Sequence, residues 1–388
     1  ALLDLLWARE SGLDNPACLR SVVETSRARS LCLSRNVSVA VPGSAGVTAM
    51  DLEGIEDRYL LCGFLDGGIC IVDARQNHGR RGQQRLETVS SLNPATHPRQ
   101  CHSFGVSSLQ WYPVDTGLFI TGSFDKTIRV WDTNTLQMGY AFKATDRVFC
   151  VAMSPIATRH QAVAVASKQP DIRLADLRTG SFTQVLRGHR RHVACVTWSP
   201  ADEFVLASGS FDGTAKLWDI RRPAPLLSLD SSNAGLEGEA ATVSHSGGVN
   251  ALCFTPCGSY LITAGRDGAA RLWVTGTGRN TLVNFGNLRN ERRTGVKPVM
   301  AANGSLFLFP NMLNEVLMFE TFTGRLVSRL TSHMDVVNAL AMQPTHPMLF
   351  SGGQDGRVLA WEPPPTDEED VAAPDNRDEW SDSDSNHD

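Results

Sequence analysis

A chain of 388 residues with 42% hydrophobic and 20% charged side chains has enough apolar material for a packed core. No apolar run approaches the roughly 18 residues of a membrane-spanning helix, and the start, Ala1–Ala8 with Asp4 and no basic leader, reads as neither signal peptide nor anchor. The formal charge of −5 is uneven: acids crowd into residues 362–388 with Arg377 as the single base there, so the rest is mildly basic, too weakly for a nucleic-acid surface. The nine cysteines are scattered with no Cys-x-x-Cys, which predicts reduced thiols; Cys253 and Cys257 lack the further ligands that zinc needs.

Residues 1–29 open with the apolar stretch Leu2–Arg9, then Asp14 or Asn15 followed by Pro16 is a helix-start signal for a polar helix to about Arg29. This is either a projecting arm or a helix packed on the protein's own body. Residues 30–41 then alternate like a strand. From there short β-prone segments end in a tryptophan and an acid, at Trp131-Asp132, Trp218-Asp219, Trp273-Val274 and Trp361-Glu362, with weaker copies at Val72-Asp73, Ala175-Asp176 and Phe319-Glu320. Successive copies are 59, 44, 43, 55, 46 and 42 residues apart, a period of about 40–45 with two insertions. In the fourth copy Val193–Trp198, Phe204–Ser208, Thr214–Trp218 and Leu226–Leu229 are four strand-like runs broken by Ser199-Pro200 and Asp212-Gly213. The sixth, residues 281–324, keeps strand-like runs but lacks the polar signature, and the third carries Gln169 where others have aspartate.

That signature has fixed offsets. Asp66, Asp125, Asp212, Asp267 and Asp355 each stand six residues before the tryptophan position, and Thr121, Ser208, Thr263 and Ser351 four residues earlier, with Cys62 in the first copy. His102, His189, His245 and His333 lie 22 or 23 residues before the aspartate. Burying an unpaired polar group costs on the order of 1–3 kcal/mol, so the set predicts a closed chain of hydrogen bonds from the indole of Trp131, Trp218, Trp273 or Trp361 to hydroxyl, histidine and aspartate. The same residue types would make a hydrolytic triad, but a catalytic centre is normally present once. Four copies mark a structural device and leave no catalytic candidate, metal site or cofactor site.

Seven copies of about four strands predict an all-β, seven-bladed WD40 β-propeller over residues 30–362. Pro363-Pro364-Pro365 stops the chain before the last blade has its outer strand, so residues 30–41 are expected to supply it and close the ring without an open edge. The tail, 363–388, is predicted to be disordered, with Ser381, Ser383 and Ser385 set among aspartates as phosphorylation candidates. Arg75, Arg178 and Arg221 follow the third strands of their blades and should sit side by side on the face opposite the histidines, forming a cationic docking patch. Arg80-Arg81, Arg190-Arg191 and Arg292-Arg293 read as solvated loops.

The stretch Phe124–Gln137 (FDKTIRVWDTNTLQ), the opening Ala8–Leu13, the run Gln110–Pro113 and the acidic end with Trp380-Ser381 resemble the Cockayne syndrome group A family. The resemblance implies a nuclear, non-catalytic substrate receptor of a cullin-4 RING ubiquitin ligase acting in transcription-coupled nucleotide excision repair. It implies that the large damaged-DNA-binding adaptor is engaged by a Trp-Asp-x-Arg motif, here Trp218, Asp219 and Arg221, and by an arm carrying Leu2, Leu3, Leu5, Leu6 and Trp7. The implied clients are the Cockayne syndrome B ATPase and the machinery at stalled RNA polymerase II; no membrane is implied, and direct nucleic-acid contact stays open. The alternative is a WD40 scaffold or histone-tail reader unrelated to ubiquitin.

Overall fold

Short β-branched and aliphatic runs, cut by turns such as Asp212-Gly213, fix strands of about six residues. Gly213 there has φ +81°, and any Cβ on it would lie 2.6 Å from the His245 carbonyl oxygen of the next blade, so only glycine fits. The computed structural model describes residues 16–35, 37–42, 45–75, 84–233, 243–292 and 294–364, with backbone alone at 16–20 and 84. These residues form seven four-stranded antiparallel sheets arranged as the blades of a β-propeller. Blade four runs Val193–Trp198, Val205–Ser210, Ala215–Asp219 and Pro225–Ser228 from the innermost strand outward. Apolar clusters fill the wedges between neighbours, as where Trp198 and Leu206 of blade four meet Ala164 and Leu174 of blade three.

The innermost strands surround a central channel lined by residues of all seven blades, among them Thr48, Ser107, Cys150, Thr197, Leu252 and Asn338. Blade six has only Val299–Met300 as its regular inner strand. The preceding residues bridge both neighbours, Val296 to Ala251 of blade five and Lys297 to Ala339 of blade seven. Lys297 also reaches across the channel to Asp51 of blade one, Nζ to Oδ1 at 2.6 Å.

Ring closure corrects one expectation in detail. Of residues 30–41 only Cys32–Leu33 joins blade seven, pairing Cys32 with Glu362 and Leu33 with Trp361. The Ser34 hydroxyl then caps the Val37 amide, and the chain turns away so that Val37–Val39 pairs in parallel with Gln84–Leu86. The cause is apolar burial: Val37 and Leu86 fill the seam between blades seven and one beside Val72, Ala74 and Ala360.

Of the two readings of the polar helix, packing on the body is the observed one. Helix α1, Pro16–Arg29, lies against blade six. Asn303 Nδ2 bonds the Thr25 hydroxyl at 2.6 Å, Arg29 pairs with Glu320 at 2.5 Å, and Ala28 and Leu31 are buried with Leu306, Leu340 and Trp361. Residues 2–7, the proposed adaptor arm, and residues 365–388 with Ser381, Ser383 and Ser385 lie outside the described residues.

Candidate protein-docking face

Antiparallel register puts two kinds of loop at opposite ends of each blade. In blade four Val205 pairs with Asp219 at one end and Gly209 with Ala215 at the other. The turn aspartates and the histidine loops therefore share one face of the ring, and the loops after the third strands, with Arg75, Arg178 and Arg221, share the opposite face.

On the histidine face the four polar sets are assembled. Trp131, Trp218, Trp273 and Trp361 donate their indole N–H to Thr121, Ser208, Thr263 and Ser351 at 2.8, 2.7, 2.9 and 2.7 Å. Those hydroxyls meet Nε2 of His102, His189, His245 and His333 at 2.7–2.8 Å. Nδ1 of each histidine faces Asp125, Asp212, Asp267 or Asp355 at 2.8, 3.3, 3.0 and 3.2 Å. An indole can only donate, so the hydroxyl accepts from it and gives its own proton to Nε2; the imidazole proton must then sit on Nδ1 and point at the carboxylate. Each aspartate also accepts a backbone N–H from the residue after the histidine, as Asp212 does from Arg190 at 2.8 Å, which ties loop to turn.

Where the tryptophan is missing, the hydroxyl is missing too. Ten residues before Ala175 stands Val165, and ten before Phe319 stands Phe309. Blade six replaces the network with Phe285, Phe307, Phe309 and Phe319, with neighbouring rings 5.7–6.4 Å apart.

Burial pushes the His102 and His245 imidazoles below their ordinary value, against the pull of Asp125 and Asp267. Burial pushes Asp125, Asp212 and Asp267 upward, but hydrogen bonds from the histidines and neighbouring groups outweigh it and hold all three carboxyls well below the usual range. Both shifts have the same sign for stability: the unfolded chain binds more protons as pH falls, first at imidazoles near pH 6.5 and then at carboxyls near 3.9. The melting temperature is expected to hold above pH 7, fall as the pH drops below about 6.5, and fall again below about pH 4. A chain with both His102→Asn and His245→Asn should lose much of the upper slope; a full slope in calorimetry would refute the assignment.

On the opposite face Asp219 caps the Arg221 amide at 3.0 Å and grips its guanidinium twice, Nε–Oδ1 at 2.9 Å and Nη2–Oδ2 at 2.7 Å. The guanidinium lies 4.5 Å over the Phe204 ring and its side chain is 59% exposed. The hydrogen bond from Arg221 holds Asp219 below its usual value. Trp218 is buried and serves the network and Asp219 is buried beneath the guanidinium, so of the motif only Arg221 is exposed on the face.

Asp73 and Asp176 cap the amides of Arg75 and Arg178 in the same way. In blade one, however, Asp73 grips Arg58 at 2.7 Å. Arg178 lines a cavity shared with Ile220 of the next blade. Arg75 stands in blade one, with blade two between it and Arg178, so the expected side-by-side row of three is interrupted. The sequence reading missed Ile55, Val114 and Ile156, exposed apolar residues in the loops between first and second strands of blades one to three on this face. Helix α1 reaches the same face, because Asn303 belongs to the corresponding loop of blade six. Among the described residues no three His, Cys, Asp or Glu side chains group to hold a metal ion.

Fold and repeated network together define a WD40 repeat protein. The WD domain, G-beta repeat, matches residues 95–132, 180–219, 239–274 and 324–362. The chain is similar to the WD repeat-containing protein ATCSA-1 of Arabidopsis thaliana, 29% identical over 96% of this chain and 98% of that protein. It is 30% identical over 50% of its length to a Drosophila erecta ribosome biogenesis protein WDR12 homolog, of which it covers 46%. To the Radiation-sensitive protein 28 of Saccharomyces cerevisiae it is 33% identical over 31% of its length, covering 25% of that protein. WD40 propellers are as a rule non-catalytic scaffolds.

Proposed function

We propose that this protein is the non-catalytic substrate receptor of a nuclear cullin-4 RING ubiquitin ligase, joining the large damaged-DNA-binding adaptor to clients in transcription-coupled repair. The observation that carries the reading is the Arg221 guanidinium, fixed by Asp219 and Phe204 yet exposed, on the face that helix α1 also reaches. A charged group already held in place loses little conformational freedom on binding, which is what a docking anchor needs. Support also comes from the end-to-end similarity to a plant protein whose name, ATCSA-1, carries the abbreviation of Cockayne syndrome A. The similarity to a ribosome biogenesis protein, by contrast, covers 50% of the chain and 46% of that protein.

A receptor of this kind raises the effective concentration of its client near the charged conjugating enzyme, which requires two docking surfaces on one rigid body. The ring supplies the rigidity, the Arg221 face with Leu2, Leu3, Leu5, Leu6 and Trp7 takes the adaptor, and the histidine face takes the client. Affinity purification from nuclei is expected to recover the adaptor with the full chain and to lose most of it without residues 1–15. That deletion spares the buried Ala28 and Leu31. Equal recovery from both, or recovery of no ligase subunit, would favour a scaffold unrelated to ubiquitin.

A further inference from the structure

On the histidine face the channel mouth carries a guanidinium unlike the others. Arg292 comes from the link between blades five and six, and its Nη2 donates to the Val337 carbonyl at the head of the inner strand of blade seven. No carboxylate lies within ion-pair distance of it among the described residues. Burial alone lowers it to about 10, so it stays cationic at neutral pH with its charge uncompensated. It lines a cavity of about 180 Å³ with Leu65, Phe124, Thr294 and Gln354.

From that cavity a row of half-buried rings runs around the mouth. Phe124 and Phe149 are edge-on at 6.2 Å, Phe149 and His192 lie 5.7 Å apart, and His192 stacks on Phe211 at 4.2 Å. Arg266 covers the end of the row, 5.6 Å over Phe211. Leu65, Phe104 and Met334 are more than half exposed around the same mouth.

The charge of this face is lopsided. Asp125, Asp212, Asp267 and Asp355 are consumed by their histidines and loop amides. Lys126, Arg147, Lys168, Arg190, Arg191, Arg266 and Arg357 are exposed in loops here, against Asp66, Asp146, Asp171, Glu291 and Asp335.

We infer that the channel mouth is a docking site for an extended acidic peptide of a partner protein, one carboxylate entering the cavity onto Arg292 and adjacent apolar side chains lying on the Phe124–Phe211 row. This rests on the two-faced receptor reading for its biological use and names the chemistry of the client. An unpaired, desolvated guanidinium offers a planar fork for a carboxylate, the rings offer apolar area at low entropic cost, and the surrounding cations steer an acidic chain inward.

The test is fluorescence anisotropy with the full chain and a short fluorescein-labelled peptide of glutamates with phenylalanines among them, against its glutamine analogue. Binding is expected to be at least tenfold tighter for the glutamate peptide, at least tenfold weaker with Arg292→Gln and several-fold weaker with the exposed Arg266→Glu, while melting temperatures and adaptor capture stay unchanged. Equal affinity for both peptides, or unchanged affinity in both variants, would overturn the assignment. Binding that appears only when residues 365–388 are removed would give the mouth to the chain's own acidic tail and overturn the partner reading. A chain that binds the peptide but captures no adaptor would refute the ligase reading and leave this site standing.

Discussion

Ser208→Ala is expected to lower the unfolding free energy by about 2–5 kcal/mol, although it removes one oxygen atom and leaves almost no cavity. The Ser208 hydroxyl is fully buried and serves two partners, the Trp218 indole at 2.7 Å and His189 Nε2 at 2.7 Å. Alanine orphans both at once, and an unsatisfied buried group costs its desolvation penalty rather than the smaller net worth of a hydrogen bond. Adding Trp218→Phe should recover part of the loss, because it deletes one of the two orphans and copies what blade six does with Phe309 and Phe319. Urea melts of the single and double variants decide it: a midpoint unchanged by Ser208→Ala would mean the network is an ornament of the fold.

Arg221→Glu is expected to weaken adaptor binding by a factor of about 30 or more, the range found when one partner of a close interfacial charge pair is lost, and to leave the melting temperature within about 1–2 °C. The replacement sets like charges side by side at Asp219 and removes the cation lying over Phe204. Arg75→Glu is the matched control. Asp73 caps its backbone identically, but the guanidinium it hydrogen-bonds is that of Arg58, in place of the Asp219–Arg221 grip of blade four. Surface plasmon resonance with immobilised adaptor should rank Arg221→Glu far below Arg75→Glu. Equal losses would mean that net charge, not the held guanidinium, is recognised.

What the sequence makes legible follows from what leaves a fixed offset. The network residues must meet across neighbouring strands at set heights, so His189, Ser208, Asp212 and Trp218 keep their spacing and can be found by counting. Blades three and six are visible only through the period, since Val165 with Ala175 and Phe309 with Phe319 trade the polar chain for packing that many side chains could provide. The partition of residues 30–41 is not legible, because whether Val37 follows Leu33 or turns toward Leu86 depends on a seam formed by blades at opposite ends of the chain. Arg292 looks like a solvated loop arginine until the ring brings Val337 and Phe124 around it. Ile55, Val114 and Ile156 belong to loops with no recurring pattern, and only the closed ring puts them on one face with Arg221.

The pairing of Cys32 with Glu362 joins residues 330 apart in the chain. Most strand contacts in the ring are local, between neighbours within one blade, and can form early and quickly; this one has to wait for nearly the entire chain. Loop-closure entropy grows only slowly with length, so the late step is slow to be reached but not costly to hold. Until it occurs, blade seven presents a bare outer edge and an uncovered Trp361 side, an interval in which synthesis on the ribosome leaves the molecule open to pairing with another chain. Because helix α1 precedes the closing strand directly, whatever grasps the N-terminal segment also pulls on the clasp, and an adaptor bound there would be expected to slow the ring's reopening.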